Sequence, residues 1–420
     1  MLKQCVSQRA IDSINFFIKT NKKNNSNFCK HALTKSMTTF FDLITGFLSS
    51  LSITLFKKVT EMQNLKNNLY TSIFTSAGIG EYYLEKELGL VSTVSCEIVA
   101  NRAKWYKELN PKTEMVCGDI TEKEVFEKLV KLHLEKGCCG VMASPVCRDF
   151  TLANYKRDPN SKRANLYKYV LKFVRRTNPI WVVIENSDQM LKVKVNGKIV
   201  ALKIVDALKA MGYNVAYGVQ DSCGFETPQH RRRTVIIAHK TKKVSLPIPS
   251  NKIITLRNTI GNLPILECGQ KSNIKWHDAS MFKWTESQIA VMSHTPSGKS
   301  AHDNPAPWTP VNADGNPSGA KFRCSFQRRN WDDACNAILQ DSKSISGFRT
   351  CHPGNFIGYD SSGLPVYDSA RPLTILELLR VTGLPDDYPI PNWASDNLIR
   401  QMMGECWVPK HALACLRQII

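Results

Sequence analysis

Acidic residues are scarce in this chain: 36 Asp and Glu stand against 56 Lys and Arg, which leaves a net charge of +20 and a pI near 9.4. So basic a balance points to a polyanionic partner, either nucleic acid or an anionic membrane. The fourteen cysteines include no C-x-x-C pair, and that spacing offers no zinc frame. No apolar run lies close enough to Met1 to form the core of a signal peptide. A disulfide framework is therefore not expected, and most of the cysteines read as small buried hydrophobes in a reducing compartment. Internal repeats and low-complexity blocks are also missing. Only one long apolar stretch occurs, the 18 residues from Thr39 to Phe56, interrupted by Asp42. That length is the lower limit for a membrane helix. The stretch is consistent with a dispensable leader (Met62 being an alternative start), a packed extra helix or a membrane anchor.

What is present is the composition of a globular protein, with 43% hydrophobic and 22% charged residues over 420 positions. At roughly 150 residues per domain this is enough for two or three lobes. The charge is unevenly spread. Residues 1–62 carry a net +6, residues 63–240 a net +10, residues 241–370 a net +4, and residues 371–420 are neutral. A basic working face explains this better than a sticky tail.

From Leu69 onward, short apolar runs alternate with helical stretches. Strands are expected at Ser72–Phe74, Val91–Val99, Met115–Cys117, Gly140–Ala143, Ile180–Glu185 and Thr234–Ala238. Helices are expected at Glu81–Leu88, Asn101–Leu109, Glu122–Glu135 and Asn165–Thr177. The run Ile-Trp-Val-Val-Ile suits a strand buried on both faces of a parallel sheet. This β-α-β rhythm predicts an α/β domain with a doubly wound, mostly parallel sheet. Between 241 and 370 the rhythm gives way to Pro, Gly, Asn and Ser, which predicts a smaller irregular lobe. Regular patterns return after Arg371, with a helix over Thr374–Leu384 and another helical pattern from Asn392 to Ile420.

Glycines at Gly78 and Gly80 sit between the first strand and its helix, where a ligand can approach the backbone. Glu97 ends the second strand and can hold two ribose hydroxyls; Asp119 follows the third and can accept from an adenine amine. Together they suit a nucleoside cofactor, although N-capping acids on an ordinary sheet would look similar. The fourth strand leads into Ala143-Ser-Pro-Val-Cys147-Arg-Asp-Phe150, a cysteine loop at the sheet edge where open α/β folds place their sites. Glu185-Asn186 ends the next strand at the same edge. Gln229-His-Arg231-Arg232-Arg233 precedes another strand, and three adjacent arginines read as a phosphate or base clamp, or as a solvated turn.

In this order the motifs resemble the DNA cytosine-5 methyltransferase family, and the resemblance runs from about Ser72 to the C-terminus. It rests on the loop Phe74–Gly80, on Glu97 and Asp119, on Pro-x-Cys147, on Glu185-Asn186 and on Gln229-x-Arg231-x-Arg233. Arg371-Pro-Leu-Thr-x-x-Glu377, Gly-Leu-Pro-Asp-Asp387, Gly404 and Pro409 continue it. The resemblance implies the Rossmann-like S-adenosylmethionine-dependent methyltransferase fold, with the catalytic and cofactor-binding domain at 63–240. It also implies a target-recognition domain at 241–370 and a return to the catalytic domain at 371–420. Specificity is then expected over about Leu256–Phe322.

The implied reaction moves a methyl group from S-adenosylmethionine to C5 of a flipped cytosine in duplex DNA. Cys147 is the implied nucleophile at C6, Glu185 the group at N3, Arg233 the base contact and Arg231 an organiser of the same site. Phe74, Ala77, Gly78, Gly80, Glu97, Asp119 and Gly404 are the implied cofactor residues. Arg148, Lys156, Arg157, Lys162 and Arg163, after the nucleophile, would meet DNA phosphates. The implied partner is double-stranded DNA, with no metal, no membrane unless residues 39–56 anchor the chain, and a cognate restriction endonuclease left open. The place of action would be intracellular: cytoplasm, nucleoid or the host cell of a virus.

Five positions depart from the family pattern. Val146 stands where proline is usual, Arg148 where glutamine is common and Ser76 where the cofactor loop has glycine. Ser187 replaces valine, and Glu405 follows Gly404 where asparagine is usual. Two other readings remain at this level: a tRNA methyltransferase on the same scaffold, and a DNA-binding relative without activity.

Overall fold

β-branched and aromatic residues, concentrated in the short apolar runs, form the strands of one seven-stranded sheet. In the computed structural model the described residues are 68–420, apart from 147–148, 151–157, 159, 313, 317 and 319–324. The leader 1–62 with its apolar run lies outside them, as do Cys147, Arg148, Lys156 and Arg157. The strands are β1 (Leu69–Ile73), β2 (Val91–Glu97), β3 (Glu114–Cys117), β4 (Gly140–Ala143), β5 (Trp181–Ser187), β6 (Asn214–Asp221) and β7 (Arg232–His239). They lie in the order β3-β2-β1-β4-β5-β7-β6. The first five pair in parallel; β7 runs antiparallel to both β5 and β6.

The period-2 alternation of side chains divides the central strands between two apolar layers. Ile73, Val94, Val141, Val182, Ile184 and Ile236 face one layer. That layer is closed by α3 (Lys123–Glu135), α4 (Tyr167–Thr177) and α5 (Val200–Ala210). Tyr70, Met142, Trp181, Val183, Val235 and Ile237 face the other. All seven residues of β5 are buried, and each fully buried Val or Ile contributes about 1.5–3 kcal/mol relative to exposure. Gly140 is required in β4, because a Cβ there would meet the Trp181 indole at 1.9 Å. α4 follows the helical period, burying Tyr167, Val170, Phe173, Val174 and Thr177. It ends at Asn178, whose φ of 47° stops the helix.

Two elements have no counterpart in the sequence-based expectation: α5 and the edge strand β6. β6 is half-exposed and carries Gly218 where strands prefer branched side chains, so its period is weak. The pattern expected over Asn392–Ile420 is two helices, α9 (Asp396–Glu405) and α10 (Pro409–Leu416), separated at Cys406–Val408 with Pro409 in the first turn of the second. α1 (Leu84–Leu88) and α2 (Ala100–Leu109) lie where helices were expected, the first preceded by a short 3-10 turn at Ile79–Glu81.

Region 241–370 is irregular, carrying only the short helices α6 (Leu256–Ile260) and α7 (Glu286–Ser293), one 3-10 turn at Ala301–Asp303 and short strands among its described residues. It joins the same compact unit as the sheet, which spans Lys66–Ile420. The sequence Arg371-Pro-Leu-Thr-x-x-Glu377 has a structural cause. Thr374 and Glu377 form a capping box at the start of α8 (Ile375–Thr382). Glu377 also receives two hydrogen bonds from the buried Arg371 guanidinium, at 2.8 and 2.9 Å. Burial opposes ionisation, but Arg371 holds the Glu377 carboxyl far below its ordinary range. No helix among the described residues is long and apolar enough to cross a membrane.

Candidate active site

Strand ends build the site. β5 delivers Glu185, Asn186 and Ser187 to the carboxyl edge of the parallel sheet, and β7, running the other way, starts at that same edge. The register pairs Arg233 with Ser187 and Val235 with Glu185. A parallel β7 would have carried its arginines to the opposite end. Arg233 Nε lies 2.6 Å from Glu185 Oε1, with side-chain exposures of only 15% and 9%. Burial strengthens such a charge-assisted contact. Asn186 Nδ2 donates to the Pro145 carbonyl at 2.7 Å, which fixes the segment leading to Cys147.

The three arginines divide sharply. Arg231 is 3% exposed; its Nη1 donates to Ile338 O and its Nη2 to Gly404 O, both at 2.7 Å. It ties the β7 approach to the irregular region and to α9. Arg232 is exposed, and Arg233 is the member that reaches Glu185. Gln229 serves a similar structural end, donating to Val381 O at 3.2 Å and accepting from Ile338 N at 3.4 Å.

The cofactor loop begins as β1 ends. Phe74, Ser76 and Gly78 have φ values of 61°, 49° and 74°, so the chain reverses within a few residues. At Gly78 a Cβ would come 2.6 Å from the Tyr106 ring, so glycine is needed for space as well as for φ. Glu97, 5% exposed, accepts from Ser76 N and Val99 N, each at 2.9 Å. Its carboxylate thus pins the loop and retains lone pairs for a further donor. At Gly404 a Cβ would fall 2.3 Å from the Leu339 carbonyl carbon, so the irregular region packs directly on the α9 backbone.

These parts line one cleft of about 1070 Å³, whose wall includes Phe74, Ala77, Gly80, Glu97, Glu185, Arg231, Arg233 and Gly404. Arg163 also borders it. Gly78 and Asp119 are not among its lining residues; Asp119 follows β3 and accepts from Thr121 N at 2.9 Å. Lys162 is exposed beside the cleft-lining Arg163. Arg163 itself forks onto Asp149, Nε to Oδ2 at 2.8 Å and Nη2 to Oδ1 at 2.9 Å, and this fork holds the Asp149 carboxyl below its ordinary value. Cys406 also borders the cleft, but burial pushes its thiol up to about 11, which makes it a poor nucleophile.

Sequence reasoning passed over several residues here. Glu81 directly follows Gly80, lines the cleft and accepts from Tyr70, Ser72 and Tyr106 hydroxyls at 2.7, 2.6 and 2.8 Å. Burial raises its carboxyl above the ordinary value even though the three hydroxyls pull it down. The signal available was a carboxylate placed immediately after a glycine turn. Arg102 on α2 and Glu405 at the end of α9 meet at 2.7 Å on the same wall; 303 residues apart, they give no local pattern. Donor atoms of Asp221, Cys223 and His230 also lie within 4.8 Å of one another. Asp221 there accepts from Arg231 N at 2.8 Å, and His230 bridges Asp221 and Asp333 at 3.0 and 3.2 Å.

The family model described as C-5 cytosine-specific DNA methylase matches residues 70–420. The chain is 35% identical over 352 residues to the Type II methyltransferase M1.HgaI of Avibacterium volantium, covering 82% of this chain and 96% of that protein. It is 24% identical over 326 residues to the Type II methyltransferase M1.HphI of Haemophilus parahaemolyticus, covering 76% and 78% respectively. Among solved structures it is similar in fold to the Entamoeba histolytica methyltransferase EhMeth, with a TM-score of 0.55 at 16% identity over 84% of this chain and 97% of that one. The S. pombe Dnmt2 methyltransferase aligns with a TM-score of 0.53 at 14% identity over 84% and 97%.

Proposed function

The chain belongs to the C-5 cytosine-specific DNA methylase family and is a DNA cytosine-5 methyltransferase; from that premise we propose how its residues divide the reaction. The donor is S-adenosylmethionine, held in the half of the cleft bounded by the Phe74–Gly80 loop, Glu97 and Gly404. The donor set suits it: the loop backbone allows close approach, and a carboxylate with spare lone pairs stands where ribose hydroxyls would lie. Asp119 serves the adenine amine at the outer end. When bound, the donor supplies an electrophilic methyl group on its sulfonium.

Cytosine C5 is a weak nucleophile, and the chain's own groups make it a better one. The Cys147 thiolate adds to C6 of the extruded base, pushing electron density to C5. Charge developing at N3 is met by the Glu185 carboxyl, which also accepts from the exocyclic amine and so selects cytosine over thymine. Arg233 orients Glu185 and contacts the base, and Arg231 keeps the wall in place. Transfer to C5 would leave the donor as a neutral thioether; a solvent water then takes the C5 proton, and that electron pair re-forms the C5–C6 double bond as the C6–S bond breaks and the Cys147 thiolate is released. Region 241–370 supplies target recognition, and exposed basic residues after Cys147, Lys162 among them, attract the phosphates. Intracellular action beside a cognate restriction endonuclease completes the reading.

One observation supports this most: a buried Glu185–Arg233 contact on a cleft wall whose neighbour, Asn186, fixes the segment before Cys147. Incubation with labelled S-adenosylmethionine and duplex DNA or tRNA tests it. Label is expected in DNA, and to be lost in Cys147→Ala. A duplex carrying 5-fluorocytosine should trap a covalent adduct, since fluorine cannot leave C5 as a proton does. Label entering tRNA and not DNA overturns the substrate assignment, and labelling of DNA by Cys147→Ala overturns the nucleophile.

A further inference from the structure

The two departures in the cofactor wall meet in space. Ser76 stands in the loop that follows β1 and Glu405 at the end of α9, and Ser76 Oγ donates to Glu405 Oε1. The other carboxylate oxygen receives Arg102 Nη2 at 2.7 Å and Gln340 Nε2 at 2.6 Å. Ser76 Oγ also lies 3.5 Å from Met402 Sδ. Three separate parts of the chain, the donor loop, α2 and the irregular region, thus converge on one carboxylate of the C-terminal return.

The backbone at Ser76 explains why a serine there needs a partner. Its φ is 49°, the left-handed region that favours glycine, and its N–H is committed to Glu97. The loop has kept a glycine-like course while gaining a side chain, and the hydroxyl is used to reach Glu405. Glu405 is in turn only 16% exposed and Arg102 25% exposed. Burial raises the Glu405 carboxyl above its ordinary value, whereas Arg102, Ser76 and Gln340 favour its ionised form. Gln340 closes this partly buried network from its exposed rim, and polar groups shielded in this way depend on one another for their hydrogen bonds.

We propose that Ser76 and Glu405, with Arg102 and Gln340, form a clasp that positions the donor loop against α9 before S-adenosylmethionine arrives. The four are positioning residues: they set the shape of the cleft and touch no reacting atom. Preorganisation of this sort appears as donor affinity, because an unclasped loop must be ordered on each binding event. The inference rests on the reading that this cleft holds S-adenosylmethionine.

A cycle on the full chain tests it, with calorimetric binding of S-adenosylmethionine, steady-state kinetics on duplex DNA and thermal midpoints measured for each variant. Ser76→Ala and Glu405→Gln should each weaken donor binding about tenfold, with the loss falling in KM for the donor and not in kcat. The double variant should be no weaker than the worse single one. Ser76→Gly combined with Glu405→Asn, the pairing usual in the family, should recover most of the affinity that Glu405→Asn alone loses. Single variants that bind like the wild type, or losses that multiply in the double variant, overturn the clasp. A wild-type chain that binds no S-adenosylmethionine overturns the cleft assignment instead, so the two failures are distinguishable.

Discussion

Arg233 Nε sits 2.6 Å from Glu185 Oε1 because β7 is the one strand of the sheet that runs against its neighbours. The contact couples a candidate proton-holding group to a fixed charge on a different strand. Glu185→Gln keeps the shape and removes the charge, so kcat should fall about 10²–10³-fold. Arg233→Ala should also reduce kcat, because it leaves Glu185 buried without its cation and without the group that orients it. Single-turnover methylation measures both. A Glu185→Gln enzyme with normal kcat would remove Glu185 from the chemistry.

Arg231 belongs to the same short motif and should behave differently. Its guanidinium spans two carbonyls, Ile338 O and Gly404 O, and Lys cannot reproduce that planar fork. Arg231→Lys and Arg231→Ala should both lower stability in urea unfolding, the second by about 3 kcal/mol, with donor affinity falling in step. An Arg231→Ala protein as stable as the wild type would return this residue to the catalytic group.

Much of the fold was legible in the chain because the central strands are buried on both sides and leave unbroken apolar runs, β5 above all. The edge strand β6 was not, since one exposed side and Gly218 dilute its pattern. Sites followed the same logic. Glu97, Glu185 and the arginines stand at strand ends and are marked by local motifs, whereas Arg102, Gln340 and Glu405 become neighbours only through tertiary packing. The arginine triplet shows the limit most clearly. Adjacent letters in the sequence, its members prove to be a buried tie, an exposed cation and a partner of Glu185.

Lys162 and Arg163 are likewise adjacent and unlike. Both are exposed, but Arg163 is committed to the buried Asp149. Lys162→Ala should weaken DNA binding on all sequences and reduce the slope of log K against log salt by about 1. Arg163→Ala should instead lower the thermal midpoint of the free protein by releasing Asp149. Fluorescence anisotropy over a salt series, beside a melting scan, checks the contrast; a full unit of slope lost in both variants would make Arg163 a phosphate contact too.

Acid should weaken the fold before the carboxylates titrate. Burial holds His133 down to about 4 and His411 to about 3, while in the unfolded chain both take up a proton near 6.5. Their depressed values mean that the unfolded state binds protons first, so stability is full above about pH 6.5 and falls as pH drops toward 4. Each histidine contributes at most about 1.4 kcal/mol per pH unit in that window. Urea unfolding at pH 7.5, 6 and 5 measures the slope, and His411→Asn should make it shallower. An unchanged slope in that variant would mean that His411 protonates inside the fold.

α10 has a consequence for the making of the protein. It is translated after every strand, yet Ala412, Cys415 and Leu416 cover the sheet face that carries Val183, Val235 and Ile237, and Gly404 and Trp407 close the cleft. While these residues are still inside the ribosome, the nascent chain has one wet, sticky face and no complete donor pocket. DNA modification therefore has to wait until these last helices have emerged and docked, so the catalytic strands, although made first, are idle until the segment after Arg371 seals them.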